Sequence, residues 1–121
     1  MRRLIRWWPL ICLTACSGPD APDAAVCRDV VVRLCRSAAA CPGVAVQLDL
    51  GLGCEATLLR RTGCEDDAFA FASLTRERVL ECREPLLSWG TSTDHPPTCA
   101  DATRFLTECP DVAGFFREGQ P

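Results

Sequence analysis

Ten cysteines in a chain of 121 residues constrain its fold more than any other feature. That density is about the level at which a short exported chain is read as a disulfide scaffold. Neighbouring cysteines are never separated by two residues. The Cys-x-x-Cys geometry that turns both sulfurs toward one zinc ion, or poises them for redox exchange, is therefore missing from the sequence. What remains is cross-linking between distant segments. A single domain of about a hundred residues needs it, because it buries only some 60–65% of its unfolded surface.

The N-terminus has the layout of an export signal. Arg2, Arg3 and Arg6 form a positive start, Trp7 to Leu13 an apolar stretch, and Thr14-Ala15 the small residues that fit a peptidase groove. The apolar stretch is far short of the roughly 20 residues needed to span a bilayer as a helix. Leu13-Thr14-Ala15-Cys16 resembles the lipobox of bacterial lipoproteins, and the resemblance covers residues 1–16. It implies a signal peptide over residues 1–15, cleavage before Cys16, a diacylglyceryl group on the Cys16 sulfur, and acylation of the new amino group, palmitate being an expected chain. Two or three acyl chains make such an anchor lasting, whereas one holds only marginally. Ser17 follows the cysteine and permits outer-membrane sorting in a double-membraned cell. Ala15-Cys16-Ser17 also fits an ordinary secretory cleavage site, which would release the domain. The absence of Lys, Asn and Tyr is a bias typical of GC-rich coding and fits a bacterial source.

Cysteine arithmetic favours lipidation. With Cys12 in the signal, nine cysteines follow it, an odd number in an oxidising compartment. Assigning Cys16 to lipid leaves Cys27, Cys35, Cys41, Cys54, Cys64, Cys82, Cys99 and Cys109 for four disulfides. Charge excludes one class of partner. The ten Arg and sixteen acids beyond residue 15 leave a formal charge of -6 with no Lys. Such a domain is poorly suited to neutralising phosphates, so nucleic acid is set aside.

Residues 16–25, rich in Pro, Asp and small side chains, read as the lipidated cysteine and a tether. Residues 26–121 read as the cysteine-rich domain. Its fold class is expected to be mainly α, a small disulfide-rich bundle of about four short helices. Cys27, Val31, Leu34 and Cys35 share one helical stripe. Val44, Val46, Leu48 and Leu50 alternate with period two and predict an extended crossover. Cys54 to Thr62 predicts a second helix closed by Gly63. A third, capped by Asp66 or Asp67, is expected to run through Phe69, Leu74, Arg78 and Cys82 to Pro85. Thr98-Cys-Ala-Asp101 resembles a capping box opening a fourth helix that buries Ala102, Phe105, Leu106 and Cys109 and stops at Pro110. A tail follows that contributes Phe115 and Phe116.

Along an uninterrupted helix Cys27 and Cys35 lie about 12 Å apart, beyond the roughly 7 Å a disulfide tolerates. Antiparallel packing of the first two helices predicts Cys27–Cys64 and Cys35–Cys54. A hairpin of the last two predicts Cys82–Cys99, and Cys41–Cys109 is what remains.

No catalytic or metal constellation emerges, and no cofactor is implied. Ser92, Asp94 and His95 are the residue types of a hydrolase triad, but one short loop cannot hold them in line. Glu65-Asp66-Asp67 lacks the ligand spacing and Gly of a calcium loop. Trp89 is expected in the core. Cys54-x9-Cys64 and Cys99-x9-Cys109 resemble the spacing of small twin-cysteine helical hairpins of the mitochondrial intermembrane space, which implies disulfide-tied helices and nothing about task. The leading expectation is a non-enzymatic, membrane-tethered structural or binding module. It is anchored to membrane lipid through Cys16 outside the cytoplasm, with an envelope or extracellular protein as partner. The alternative is an envelope thiol-redox factor, or another small extracytoplasmic enzyme, using an unpaired cysteine.

Overall fold

A computed structural model describes residues 20–51, 53–87 and 98–120. Among them the chain is mainly helical: α1 (Asp23–Ala40), α2 (Pro42–Gln47), α3 (Cys54–Thr62), α4 (Arg76–Arg83) continued by a 3-10 turn (Glu84–Leu86), α5 (Cys99–Glu108) and α6 (Pro110–Glu118). The structure is a small disulfide-rich helical bundle, with six α-helices among the described residues where about four were expected.

The long helix α1 is the spine. It contains the β-branched run Val30-Val31-Val32, which is unfavourable by helix propensity alone. Burial compensates, since Val26, Cys27, Val30, Val31 and Leu34 have no exposed surface, and each such side chain contributes about 1.5–3 kcal/mol when removed from water. Around this stripe pack α2, α3, α4, the 3-10 turn and α5, while α6 closes the far side against α3, α4 and α5. Leu48, Leu58, Val79, Leu86, Phe105, Val112 and Phe116 are fully buried in the one core cluster.

α1 begins earlier than the tether reading allows. Asp23, Ala24 and Ala25 form its first turn, and Ala21 and Ala24 are buried. The Asp23 carboxylate suits the positive end of the helix. It also accepts hydrogen bonds from Arg76 Nη1 at 2.8 Å and from the Phe71 N–H at 3.0 Å. These partners lie about fifty residues away, so composition could not reveal them.

The Val44–Leu50 segment is a correction. Residues 42–47 are helical, with Pro42 in the first turn, Val44 and Leu48 buried and Val46 79% exposed. In so short a run, alternation leaves Val44 and Leu48 four residues apart, which is also a helical spacing. No neighbouring strand among the described residues competes for its backbone. The Cys41-Pro42 step explains the break from α1. A residue before proline is driven from the α region, and Cys41 sits at φ -132°, ψ 86°. Cys109-Pro110 repeats the device at φ -129°, ψ 61°. Pro110 does end α5, but it also opens α6 as its first residue.

The expected third helix is confined to its C-terminal part. Gly63, at φ 88°, terminates α3 in the left-handed conformation as predicted. Residues 64–75 then stay irregular. The Asp66 carboxylate accepts from the Ala68 N–H, and the Phe69 N–H bonds to the Asp66 carbonyl, forming turns in place of a helix start. Further along, Asp23 takes the Phe71 N–H, and the Gln120 side chain accepts from the Ala72 N–H and donates to the Ala70 carbonyl. Backbone groups that a helix would have paired internally are paired across the fold. The helix is capped instead by Thr75, whose hydroxyl accepts from the Arg78 N–H.

Candidate functional site

The eight cysteines Cys27, Cys35, Cys41, Cys54, Cys64, Cys82, Cys99 and Cys109 form four disulfides, the most distinctive chemical feature of the domain. Antiparallel packing of α1 and α3 sets the first two. Cys27 meets Cys64 just beyond the end of α3, with Cα atoms 6.1 Å apart, and Cys35 meets Cys54 at its start, 5.8 Å apart. Both match the pairing expected from the sequence.

The other two are exchanged. The bonds are Cys41–Cys99 and Cys82–Cys109, in place of Cys82–Cys99 and Cys41–Cys109. The expected hairpin assumed that α5 starts where α4 ends. Instead the start of α5 lies at the end of α1, where Cys99 Sγ is 3.6 Å from the Ala40 carbonyl oxygen. The α5–α6 corner returns to α4. There Arg78 donates to both Asp111 carboxylate oxygens at 2.9 and 3.0 Å and to the Glu108 carbonyl, one turn from Cys82. The Arg78 guanidinium is pushed above its ordinary range by hydrogen bonds to Asp111 and Glu81, and the Asp111 carboxyl is held below its own by the bond from Arg78.

Three further arginines hold the frame, and sequence reasoning passed over all of them. Arg28 donates to the Cys64 and Glu65 carbonyls and to Asp67. That occupies one member of the Glu65-Asp66-Asp67 triplet, and Asp66 is the one bound to the Ala68 N–H. Arg61 reaches the carbonyls of Leu48, Asp49 and Phe116, bridging the end of α2 to α6. Arg83, only 7% exposed, meets Asp29 at 3.0 Å, and Asp29 also binds Arg33. The signal lies in acids and carbonyls paired with arginines many residues away, Asp29 with Arg83 and Cys64 with Arg28 among them, and such pairs have no local spacing.

Over the Cys82–Cys109 bond lies a surface cleft of about 430 Å³ rimmed by Arg78, Glu81, Glu84, Pro85, Arg104 and Glu108. Its arginines are already engaged, Arg78 by Asp111 and Glu81, Arg104 by Glu108 at 3.1 Å. The cleft is a product of salt-bridged packing and presents no free cation to a substrate. Among the described residues no group of three or more His, Cys, Asp or Glu side chains is placed to hold a metal ion. The unpaired thiol required by the redox alternative is not among the eight cysteines of the frame. Cys16, Trp89, Ser92, Asp94 and His95 lie outside the described residues. No described helix is long and apolar enough to cross a membrane. No protein-family model matches the chain, and no curated protein or solved structure is significantly similar to it.

Proposed function

We propose that the chain is a cell-envelope lipoprotein whose domain serves as a non-enzymatic structural or binding module, tethered to membrane lipid through Cys16. The observation that carries this reading is the complete use of the eight domain cysteines in four disulfides. Such a frame persists in oxidising compartments and is rare in the reducing cytosol. It also leaves Cys16 as the odd cysteine beyond the signal, in the position where the lipobox resemblance calls for a lipid acceptor. An envelope or extracellular protein is the class of partner that a module held there encounters.

Fractionation of cells expressing the wild type and Cys16→Ala tests the anchor. The wild type is expected in the membrane fraction with a diacylated Cys16 as its first residue. The variant is expected without lipid, either released or uncut. An unmodified N-terminus at Gly18 in the wild type would show ordinary secretion and overturn the reading.

A further inference from the structure

We propose that Cys41–Cys99 is a reducible clasp, the disulfide that a dithiol reductant opens while the other three stay closed. The four bonds differ in how a nucleophile can reach them. Cys27 and Cys64 have no exposed surface, and Thr62 Oγ1 lies 3.0 Å from Cys64 Sγ. Cys82 and Cys109 are 1% and 5% exposed. Cys35 and Cys54 are half-buried. Cys99 alone among the eight is exposed, flanked by exposed Thr98 and Ala100. Thiol–disulfide exchange needs an attacking thiolate to reach one sulfur in line with the bond, so access governs which bridge reacts first.

The exchange balances without a further reactant. One thiolate of the dithiol attacks Cys99 Sγ, forming a mixed disulfide and expelling Cys41 as thiolate. The second thiol of the reductant attacks its own sulfur of that mixed bond and expels Cys99. Two electrons and two protons pass to the protein, and the reductant leaves as its disulfide.

The surroundings make the opening local. The first turn of α5 is held by its own capping box, Thr98 with Asp101, and its core contacts begin only at Ala102 and Phe105. At the other end, Cys82–Cys109 keeps α5 docked. Cys41 is the corner residue between α1 and α2. Reduction therefore frees the junction of α1, α2 and α5 without dissolving the bundle, and turns a sealed corner into one responsive to the thiol state of its compartment.

Timed reduction of the oxidised protein with limiting dithiothreitol, followed by alkylation and peptide mapping, reads the order of opening. Cys41 and Cys99 are expected to be alkylated together, at least tenfold faster than any other pair. Hydrogen exchange on the same samples is expected to lose protection at residues 41 and 101 to 103 while the amides of α3 stay protected. Earlier alkylation of Cys35 and Cys54, or loss of all four bonds at one rate, overturns the proposal, as does loss of protection throughout the bundle when the first bond opens. Cys41→Ser with Cys99→Ser is expected to reproduce the exchange pattern of the singly reduced protein, and a globally unprotected variant would count against it.

Discussion

Arg61 shows how much of this fold rests on single side chains that no motif announces. It extends one guanidinium to three backbone carbonyls, two before α3 and one in α6. Its own carbonyl is approached by Gly119, where an added Cβ would lie 2.4 Å from the oxygen at φ +86°. That backbone conformation, with ψ near 179°, is open essentially to glycine alone and costs other residues about 1–3 kcal/mol. Gly119→Ala is therefore expected to destabilise the domain by about 1–3 kcal/mol. Gly114, inside α6, has nothing within 4 Å of a built Cβ and no positive φ. Gly114→Ala should stabilise it by about 0.5–1 kcal/mol through helix propensity. Denaturant titration of the two oxidised variants checks the opposite signs. Equal shifts in one direction would mean that the Gly119–Arg61 approach contributes nothing.

At the level of elements, local rules held where local groups do the bonding. The capping box at Thr98 forms as read, with the Thr98 hydroxyl accepting from the Asp101 N–H at 3.1 Å and the Asp101 carboxylate accepting from the Thr98 N–H at 3.0 Å. Gly63 closes α3 for an equally local reason. The rules failed where distant side chains outcompeted the helix, as at residues 70–72 under Asp23 and Gln120. Phe69 and Phe71 then stack edge-on at 5.0 Å and pack against Phe115, so the lost helical turns are replaced by an aromatic cluster. Thr98→Ala, which removes an exposed cap, is expected to cost about 1 kcal/mol. Thr98→Asn, which retains a side-chain acceptor, should recover most of it in the same denaturation measurement.

For the whole molecule, cross-links divide the stabilising work with a modest core. Cys27–Cys64 joins residues 37 apart at a site with no exposed surface. Replacing both cysteines by Ala removes a constraint on the unfolded chain and leaves space in the core. A loss of about 2–4 kcal/mol is expected, measured by guanidinium unfolding without reductant. A change below about 0.5 kcal/mol would show that the remaining three bonds already supply the restriction.

The helical character, the α1 stripe, the boundaries of α3, the capping box of α5 and two of the four disulfides are legible in the sequence alone. Each follows from the 3.6-residue period, from a cap bonded within three or four residues, or from the antiparallel pairing of two adjacent helices. The Cys41-Pro42 and Cys109-Pro110 corners were half legible, because proline marks the end of one helix and equally the first turn of the next. Which cysteine meets Cys99 and which meets Cys109 was decided only by tertiary structure. Once the connection between α4 and α5 is long enough to reach either end of the bundle, chain geometry no longer ranks the pairings. Burial of Phe105 in α5, which packs on α1, and of Val112 and Phe116 in α6, which packs on α3, goes with the clamp of Arg78 on Asp111 to set the direction in which α5 runs.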